Sequence, residues 1–398
     1  MVSNPKLKNT KFKYMYRALQ IAFGRWGLTS PNPPVGAVIV KNNKIISEGG
    51  TQAAGGDHAE IVAIKKSKVD LRGAEIYISL EPCSHFGKTP PCTEEIIKAG
   101  FKKVYFPLLD PNPKVSGAGL KKLKKAKIQV EIIKELETEA KDLIRPFKKY
   151  ILEGKPYCLH KTAFSLDGRI ATLAGDSKWI SSPLSRYIVH KLRAKVDAVI
   201  IGKNTFEKDK PLLNVRLNQL ATETKKNIGK KISLLGYKNF VLESLLNHKI
   251  KSYQDPLRII VGLPQNLNPQ DNFWRDQNHL IMVPIQDLTN KKNLSLAKIN
   301  IQPLRMKSLA GQIEEILKIL HQRGIMTLLL EGGSKLAGSF FDNKSIDQFL
   351  YFIAPLIIGN GLSPLESKKQ KNKIIDSLKL HDISKALIGE DLLYNAYK

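Results

Sequence analysis

The sequence predicts two layered α/β domains in tandem, on three observations. Helix-period and strand-period segments alternate along most of its 398 residues. That length fits two or three domains of roughly 100–200 residues each. Hydrophobic residues make up 42% of the chain, enough for ordinary packed cores.

The elements follow in order. Residues 13–25 read as an amphipathic helix with Ala18, Leu19, Ala22 and Phe23 inward. The loop Ser30-Pro31-Asn32-Pro33-Pro34 comes next, then strands over 35–40 and 45–49 joined by the turn Asn42-Asn43. Helices are expected over 58–66, 92–99 and 119–125, and strands over 74–80, 103–107 and 128–132, with Gly100 a helix C-cap. This alternation implies a layered sheet. A polar helix near 134–149 leads to a link at Glu153-Gly154-Lys155-Pro156, and a second α/β unit starts with a strand over 157–163. The expected domains are therefore 1–149 and 150–398. Within the second, residues 217–254 are polar and Lys/Asn-rich, and read as an insertion with limited structure of its own. Regular patterning resumes at 257–261.

Bulk properties narrow the function classes. No apolar run approaches the roughly 20 residues that span a bilayer, and the basic stretch from Met1 to Arg17 lacks the apolar core of a secretory signal. Three cysteines argue against a disulfide framework and point to a reducing cytoplasm. The net charge of +28 would suit nucleic acid through phosphate contacts. The lysines are scattered, however, and no aromatic ladder interleaves with them. They read as solvated faces that help to steer small phosphorylated substrates. No nucleic-acid or membrane partner is expected; a homo-oligomer is left open.

The chemistry concentrates first in His58-Ala59-Glu60, Pro82-Cys83 and Pro91-Cys92. One imidazole and two thiolates give zinc three ligands and leave the fourth position open, as a catalytic site requires. Glu60, two residues past His58 at a helix start, is placed to carry a proton from water to a leaving amine. The arrangement resembles the His-x-Glu…Pro-Cys-x-x-Cys signature of zinc deaminases. It departs from it in having eight residues between Cys83 and Cys92. A structural site would close with a fourth ligand, for which His85 is the only nearby candidate.

Residues 13–149 resemble the deaminase domain of the bifunctional riboflavin-biosynthesis deaminase-reductases, in a cytidine-deaminase-like three-layer fold. The matching motifs are Pro31-Asn32-Pro33, Val35-Gly36-Ala37-Val38, the His-Ala-Glu, Glu81 to His85 through Pro91-Cys92, Asp110-Pro111-Asn112-Pro113 and Ser116 to Leu120. The long loop between the cysteines is itself a mark of that family. By position, the resemblance implies substrate contacts at Asn32, Lys88, Thr89, Asp110 and Asn112. Lys88 offers a point charge and Thr89 a hydroxyl for phosphate; Asp110 and Asn112 read equally as turn residues beside prolines.

The second half resembles the same family's reductase domain, whose fold is dihydrofolate-reductase-like. The match runs through Lys161, Ser165 to Arg169, Ser177 to Ser182, Leu192-Arg193-Ala194, Asp197 to Val199, Gly202 to Asp209, Leu213 to Arg216 and Glu331-Gly332-Gly333. It implies NADPH contacts at Ala163, Trp179, Thr205, Asp209 and the run Gly333, Ser334, Lys335, Leu336, Ala337, Gly338 and Ser339. It implies substrate contacts at Lys161, Ser177, Arg193, Leu213, Arg216 and Glu331. The Gly-Gly turn after an apolar run lets backbone approach a phosphate at a helix N-terminus. Arg193 and Arg216 suit a phosphate fork, with surface ion pairing as the alternative; Trp179 reads equally as core packing. Gly262 and Leu263 depart from the family, which carries an Asp and a small hydroxyl residue there.

The expectation is a zinc-dependent deaminase of 2,5-diamino-6-(5-phosphoribosylamino)pyrimidin-4-one, with Glu60 catalytic, fused to an NADPH-dependent reductase of its ribosyl group. The alternatives are a deaminase carrying a degenerate reductase-like module, and a nucleic-acid deaminase.

Overall fold

In a computed structural model of the chain, the described residues are 9–85, 90–218, 234–265, 267–268, 270–289, 299–369 and 372–398. Two units emerge. One comprises Met1–Gly154 with Asn239–Ser244 and His248–Tyr253; the other comprises Lys155–Lys238, Leu245–Asn247 and Gln254–Lys398.

The first unit is built on a hairpin. Strands β1 (Gly36–Lys41) and β2 (Lys44–Gly50) pair antiparallel across Asn42 and Asn43, whose φ values are 51° and 58°. A two-residue turn that matches strand twist needs positive φ at both positions, and Asn tolerates it. Strands β3 (Glu75–Ile78), β4 (Lys103–Phe106) and β5 (Gln129–Ile132) complete a sheet of order β2-β1-β3-β4-β5. The β1–β3 pairing is antiparallel and the last two are parallel.

Glycines set the distance of the helices from this sheet. A Cβ on Gly36 would lie 2.1 Å from the Ala18 carbonyl of α1 (Thr10–Arg25), and one on Gly49 would lie 2.1 Å from the Ala59 carbonyl of α2 (Ala59–Lys66). Gly50, the cross-strand partner of Gly36, also faces α1. Since neighbouring residues of a strand point to opposite faces, α1 and α2 cover opposite sides of the sheet, which gives three layers. Helices α3 (Cys92–Lys98), α4 (Ala118–Lys125) and α5 (Glu137–Glu153) finish the unit; α5 ends at Gly154 in the left-handed region, φ 64°.

The second unit carries a ten-stranded sheet. Strands β6 (Tyr157–Ser165), β8 (Ala198–Gly202), β10 (Leu257–Val261), β11 (His279–Pro284), β12 (Ile301–Leu304), β13 (Thr327–Leu330) and β14 (Gln348–Ala354) form its parallel part in the order β12-β11-β10-β8-β13-β6-β14. Strands β17 (Asp391–Tyr397), β16 (His381–Ile388) and β9 (Leu234–Gly236) extend it antiparallel. A short ribbon pairs β7 (Ala171–Thr172) with β15 (Gly361–Leu362). Ile200, Ile259, Met282, Leu328, Leu317 and Phe340 lie in one core cluster. Leu317 belongs to α9 (Leu309–Gln322) and Phe340 to α10 (Ser334–Asp342). Helices α6 (Pro183–Arg193) and α7 (Lys203–Asp209) connect the earlier strands.

The stretch 217–254 departs from its sequence reading. Residues 219–233 lie outside those described, but β9 and helix α8 (Phe240–Asn247) are regular structure. Asn239 caps α8 by accepting the Leu242 N–H at 2.7 Å, and Phe240, Leu242, Leu245 and Leu246 are buried. Part of the stretch belongs to the first unit. There the Phe240 N–H donates to Asp142 Oδ2 at 3.1 Å, and the Phe240 ring meets Tyr16 edge-on at 5.5 Å. The overall lysine content of the stretch masks this short apolar run.

Candidate functional site: a His-Cys-Cys cleft and a buried Lys-Arg-Glu cluster

His58 is the N-cap of α2, extended at φ −70° and ψ 163°, so its ring turns off the helix end. Its Nδ1 lies 3.6 Å from Cys83 Sγ and 3.3 Å from Cys92 Sγ. Cys92 opens α3, and its N–H donates to Cys83 Sγ at 3.4 Å. The three ligand atoms lie within 4.8 Å of one another, and no fourth His, Cys or acid joins the group among the described residues. One imidazole and two soft sulfurs fit tetrahedral zinc with an open position. The sulfurs behave as a pair sharing a proton: the contact with Cys92 pulls the Cys83 thiol down and pushes the Cys92 thiol up. A divalent cation would displace that proton.

Glu60 stands in the first turn of α2 and is 4% exposed. Burial pushes its carboxyl up to about 7, partly offset by His58. His58, Glu60 and Cys83 line a cleft of about 320 Å³ together with Asn32, Asp110, Asn112 and His85. The structure thus brings Asn32, Asp110 and Asn112 to the ligand cluster, while Lys88 and Thr89 lie outside the described residues. Burial pushes the Asp110 carboxyl up to about 6, and its Oδ1 accepts the Asn112 N–H at 2.8 Å. Asp110 is therefore both a turn former and a wall of the cleft.

Sequence reasoning missed two contributions. Phe147, Tyr150 and Ile151 of α5 also line the cleft, although that segment reads as a polar helix; its apolar face, on which Leu143, Ile144 and Phe147 are buried, was the available signal. Glu81 enters the motif only as a letter, yet its carboxylate accepts three backbone N–H groups, from Asp110, Gly117 and Leu120.

In the second unit, Glu331 follows β13 and anchors a buried cluster. Arg193, at the end of α6, donates from Nε to Oε1 at 2.6 Å and from Nη2 to Oε2 at 2.9 Å. The Lys161 ammonium is 3.6 Å from Oε2. Burial alone would raise the Glu331 carboxyl, but Arg193 and Lys161 outweigh it and hold it at about 2. Burial pushes the Lys161 ammonium down, partly offset by Glu331. His190 Nδ1 accepts the Arg216 N–H at 3.1 Å, and burial pushes that imidazole down to about 3. The Arg216 guanidinium makes no ion pair among the described residues, and burial beside Arg193 lowers its pKa.

This geometry sharpens several readings. Arg193 already uses three of its five N–H donors, two on Glu331 and one, through Nη1 at 3.4 Å, on the Asn214 carbonyl. Lys161, Arg193 and Glu331 do come together, with Arg216 close enough to Arg193 to be felt electrostatically. Leu213 is buried at φ 54°. Trp179 is not core: it is 74% exposed, at φ 67°, with Arg186 4.3 Å from its ring centre. Ser177 shares that exposed loop, and Asp209 is exposed at the end of α7. Thr205 Oγ1 accepts the Gly333 N–H at 3.0 Å, which joins α7 to the start of α10. Ala163 is half-buried in β6. Within 333–339, Leu336 and Ala337 pack into the core and offer a ligand only backbone. Gly338 faces the Glu366 backbone, at 2.0 Å from where its Cβ would be, and Ser334 Oγ lies 3.4 Å from Glu366 Oε2. Lys335 is exposed and Ser339 half-buried, Ser339 donating to the Lys335 carbonyl at 2.8 Å.

A zinc-type deaminase cleft in one unit and an α/β unit with a buried acid–base cluster in the other define a two-activity enzyme. Residues 8–108 match the cytidine and deoxycytidylate deaminase zinc-binding region, and residues 156–394 match the RibD C-terminal domain. The riboflavin biosynthesis protein RibD of Aquifex aeolicus is 37% identical over 380 residues, 96% of each chain. That of Escherichia coli is 31% identical over 366 residues, 92% of this chain and 93% of its own. Two solved structures each cover 98% of both chains with a TM-score of 0.76. One is Acinetobacter baumannii RibD, 30% identical; the other is a Thermotoga maritima diaminohydroxyphosphoribosylaminopyrimidine deaminase/5-amino-6-(5-phosphoribosylamino)uracil reductase, 31% identical. The chain belongs to the RibD family: it is a bifunctional deaminase and reductase of riboflavin biosynthesis, with a cytidine-deaminase-like first unit and a reductase second unit. Membership across both halves replaces the nucleic-acid deaminase alternative. No helix among the described residues is long and apolar enough to cross a membrane.

Proposed function

We propose that the first unit hydrolyses the 2-amino group of 2,5-diamino-6-(5-phosphoribosylamino)pyrimidin-4-one, and that the second reduces the ribosyl group of the product to ribityl with NADPH. The observation that carries the first step is the His58-Cys83-Cys92 cluster set beside buried Glu60 in one cleft. Zinc held by those three residues would supply the Lewis acidity that makes water a nucleophile near neutral pH. Glu60 then takes a proton from the attacking water and delivers it to the departing amine, so that C2–NH2 and water become C2=O and ammonia. Asn32, Asp110 and Asn112 orient the pyrimidine and ribose by hydrogen bonding, and Lys88 and Thr89 take the phosphate.

For the second step, NADPH would supply the hydride. The donors suited to its phosphates are backbone N–H groups at the start of α10, where Gly333 is the N-cap and no side chain caps the helix. Thr205 fixes that Gly333 N–H, and Ala163, Trp179 and Asp209 complete the proposed cofactor contacts. The Glu366 carboxylate near Ser334 would have to turn away from an incoming phosphate. In this reading Lys161 and Glu331 hold the ribose hydroxyls, Arg216 meets the phosphate of the substrate, and Ser177 and Leu213 border it.

The test is turnover of the diaminopyrimidine phosphate by purified enzyme of known zinc content, with and without NADPH. Ammonia release in both cases, with NADPH oxidation only after deamination, is the expected result. NADPH oxidation on the undeaminated substrate would refute the order, and absence of ammonia release would refute the first step.

A further inference from the structure

Glu81 sits where β3 runs out toward Cys83, and it is 3% exposed. Its Oε2 accepts the N–H groups of Asp110 at 3.1 Å and Gly117 at 2.9 Å, and its Oε1 accepts that of Leu120 at 3.0 Å. Its own N–H donates to the Leu108 carbonyl at 3.2 Å. One residue, through its backbone and its carboxylate, therefore ties down both ends of the segment 108–120. That segment carries Asp110, Asn112 and Val115 of the cleft. Two residues further along the chain, Cys83 belongs to the metal cluster.

The α4 end explains why the carboxylate is needed. Helix α4 starts after Gly117, which is left-handed at φ 75° and has no side chain to cap it, and its first turn holds no acid. The first N–H groups of a helix have no partner of their own and carry the positive end of its dipole. Glu81 supplies both the acceptor and the negative charge from another element. Contact is close enough that a Cβ on Gly119 would lie 2.1 Å from the Pro82 carbonyl.

We propose that Glu81 is a positioning residue for deamination: it fixes the Asp110–Asn112 wall at a set distance from the Cys83 loop, and so determines how well the substrate is held beside the His58-Cys83-Cys92 cluster. The proposal rests on the deaminase reading above.

Glu81→Gln keeps the shape but removes the charge and one acceptor, so at least one N–H would face an amide NH2 group. Gly119→Ala keeps the Glu81 charge, but pushes the same segment off the Pro82 carbonyl and crowds Glu81 Oε1, which would lie 3.2 Å from the new Cβ. Both should raise KM for the diaminopyrimidine phosphate by about tenfold or more, the cost of losing a hydrogen bond to a charged acceptor, with smaller changes in kcat and unchanged zinc content. A merely structural Glu81 would lower the melting temperature and the apparent kcat at unchanged KM. Unchanged KM in both variants, with wild-type enzyme that deaminates, overturns the inference alone; wild-type enzyme that does not deaminate overturns the deaminase reading and the inference with it. A rise in KM for Glu81→Gln but not for Gly119→Ala would make Glu81 a direct substrate contact and also overturn the positioning role. Should Glu81→Gln not fold, KM of Gly119→Ala decides between these outcomes.

Discussion

Arg193 and Arg216 both match family positions at the substrate, but the structure predicts different consequences for their loss. The Arg193 and Glu331 side chains are 11% and 6% exposed and are joined by two short charge-assisted hydrogen bonds. Replacing Arg193 by Ala leaves the Glu331 carboxylate buried with only Lys161, at 3.6 Å. Removing one partner of a buried pair costs about 3–5 kcal/mol, because the remaining charge is stranded. At about 2–4 °C per kcal/mol for a unit of 150–250 residues, unfolding of the reductase unit should move down by about 6–20 °C. Arg193→Lys should recover little, since an ammonium cannot reproduce the two-pronged contact. Arg216→Ala strands no partner among the described residues; its expected effect is a rise of about ten- to a hundredfold in KM of the deaminated substrate, for a lost contact of about 1.5–3 kcal/mol. Calorimetric unfolding and reductase kinetics on the two variants separate the roles. A rise in KM for Arg193→Ala with an unshifted unfolding transition would refute the reasoning and return Arg193 to the phosphate.

Further outcomes follow from the same geometry. Glu60→Gln should keep its zinc and lose deamination while reducing pre-deaminated substrate as wild type does; ammonia release near the wild-type rate would remove Glu60 from the proton path. Cys83→Ser and Cys92→Ser should bring zinc in elemental analysis close to zero, whereas Cys158→Ser should leave it unchanged, since Cys158 lies in the core of the second unit. Burial pushes His160 and His190 each down to about 3, so the unfolded chain binds more protons. The second unit should therefore be stable at pH 7 and lose stability as pH falls from about 6.5 towards 3, by up to ~1.4 kcal/mol per pH unit for each histidine; a denaturant midpoint constant from pH 7 to 4 would contradict this. Gly262→Asp should destabilise rather than improve NADPH binding. Gly262 is at φ 89°, where a Cβ would also meet Lys203 Cδ at 3.0 Å, and a left-handed side-chain residue costs about 1–2 kcal/mol. A cofactor titration showing tighter binding at unchanged stability would refute it.

Those contrasts show what sequence can and cannot carry. The His58-Cys83-Cys92 cluster was legible because each member is fixed by local chemistry: a His at a helix N-cap, a Cys in the loop after β3, a Cys that opens a helix. Their residue types state the function, and their flanking prolines state the backbone. The hairpin was legible from Asn42-Asn43 for the same reason, and Gly100 and Gly154 mark helix ends by their φ of 72° and 64°. Glu81 was opaque because its function is tertiary. Its three acceptor contacts span 29 to 39 residues of separation, and no periodicity or spacing encodes them.

Arg258 and Arg193 make the same point from the other side. A cation in the strand 257–261 breaks the apolar run, yet Arg258 is 1% exposed. It is satisfied by Asp276, by the Asn278 carbonyl and by the Phe273 ring, all contributed by the following segment. An arginine in a motif thus has two fates, paired inside or open to a ligand, and which one holds depends on whether a carboxylate has been buried within reach. At Arg193 that carboxylate is Glu331, 138 residues away, itself a motif residue that the sequence assigned to substrate. The cluster is a unit: Glu331 stays ionised because Arg193 and Lys161 are there, and Lys161 keeps its place because Glu331 holds it. Motif matching assigns each residue a contact one at a time. The burial and distances set these charges against one another, and Arg216 is the cation of this group whose guanidinium makes no ion pair among the described residues.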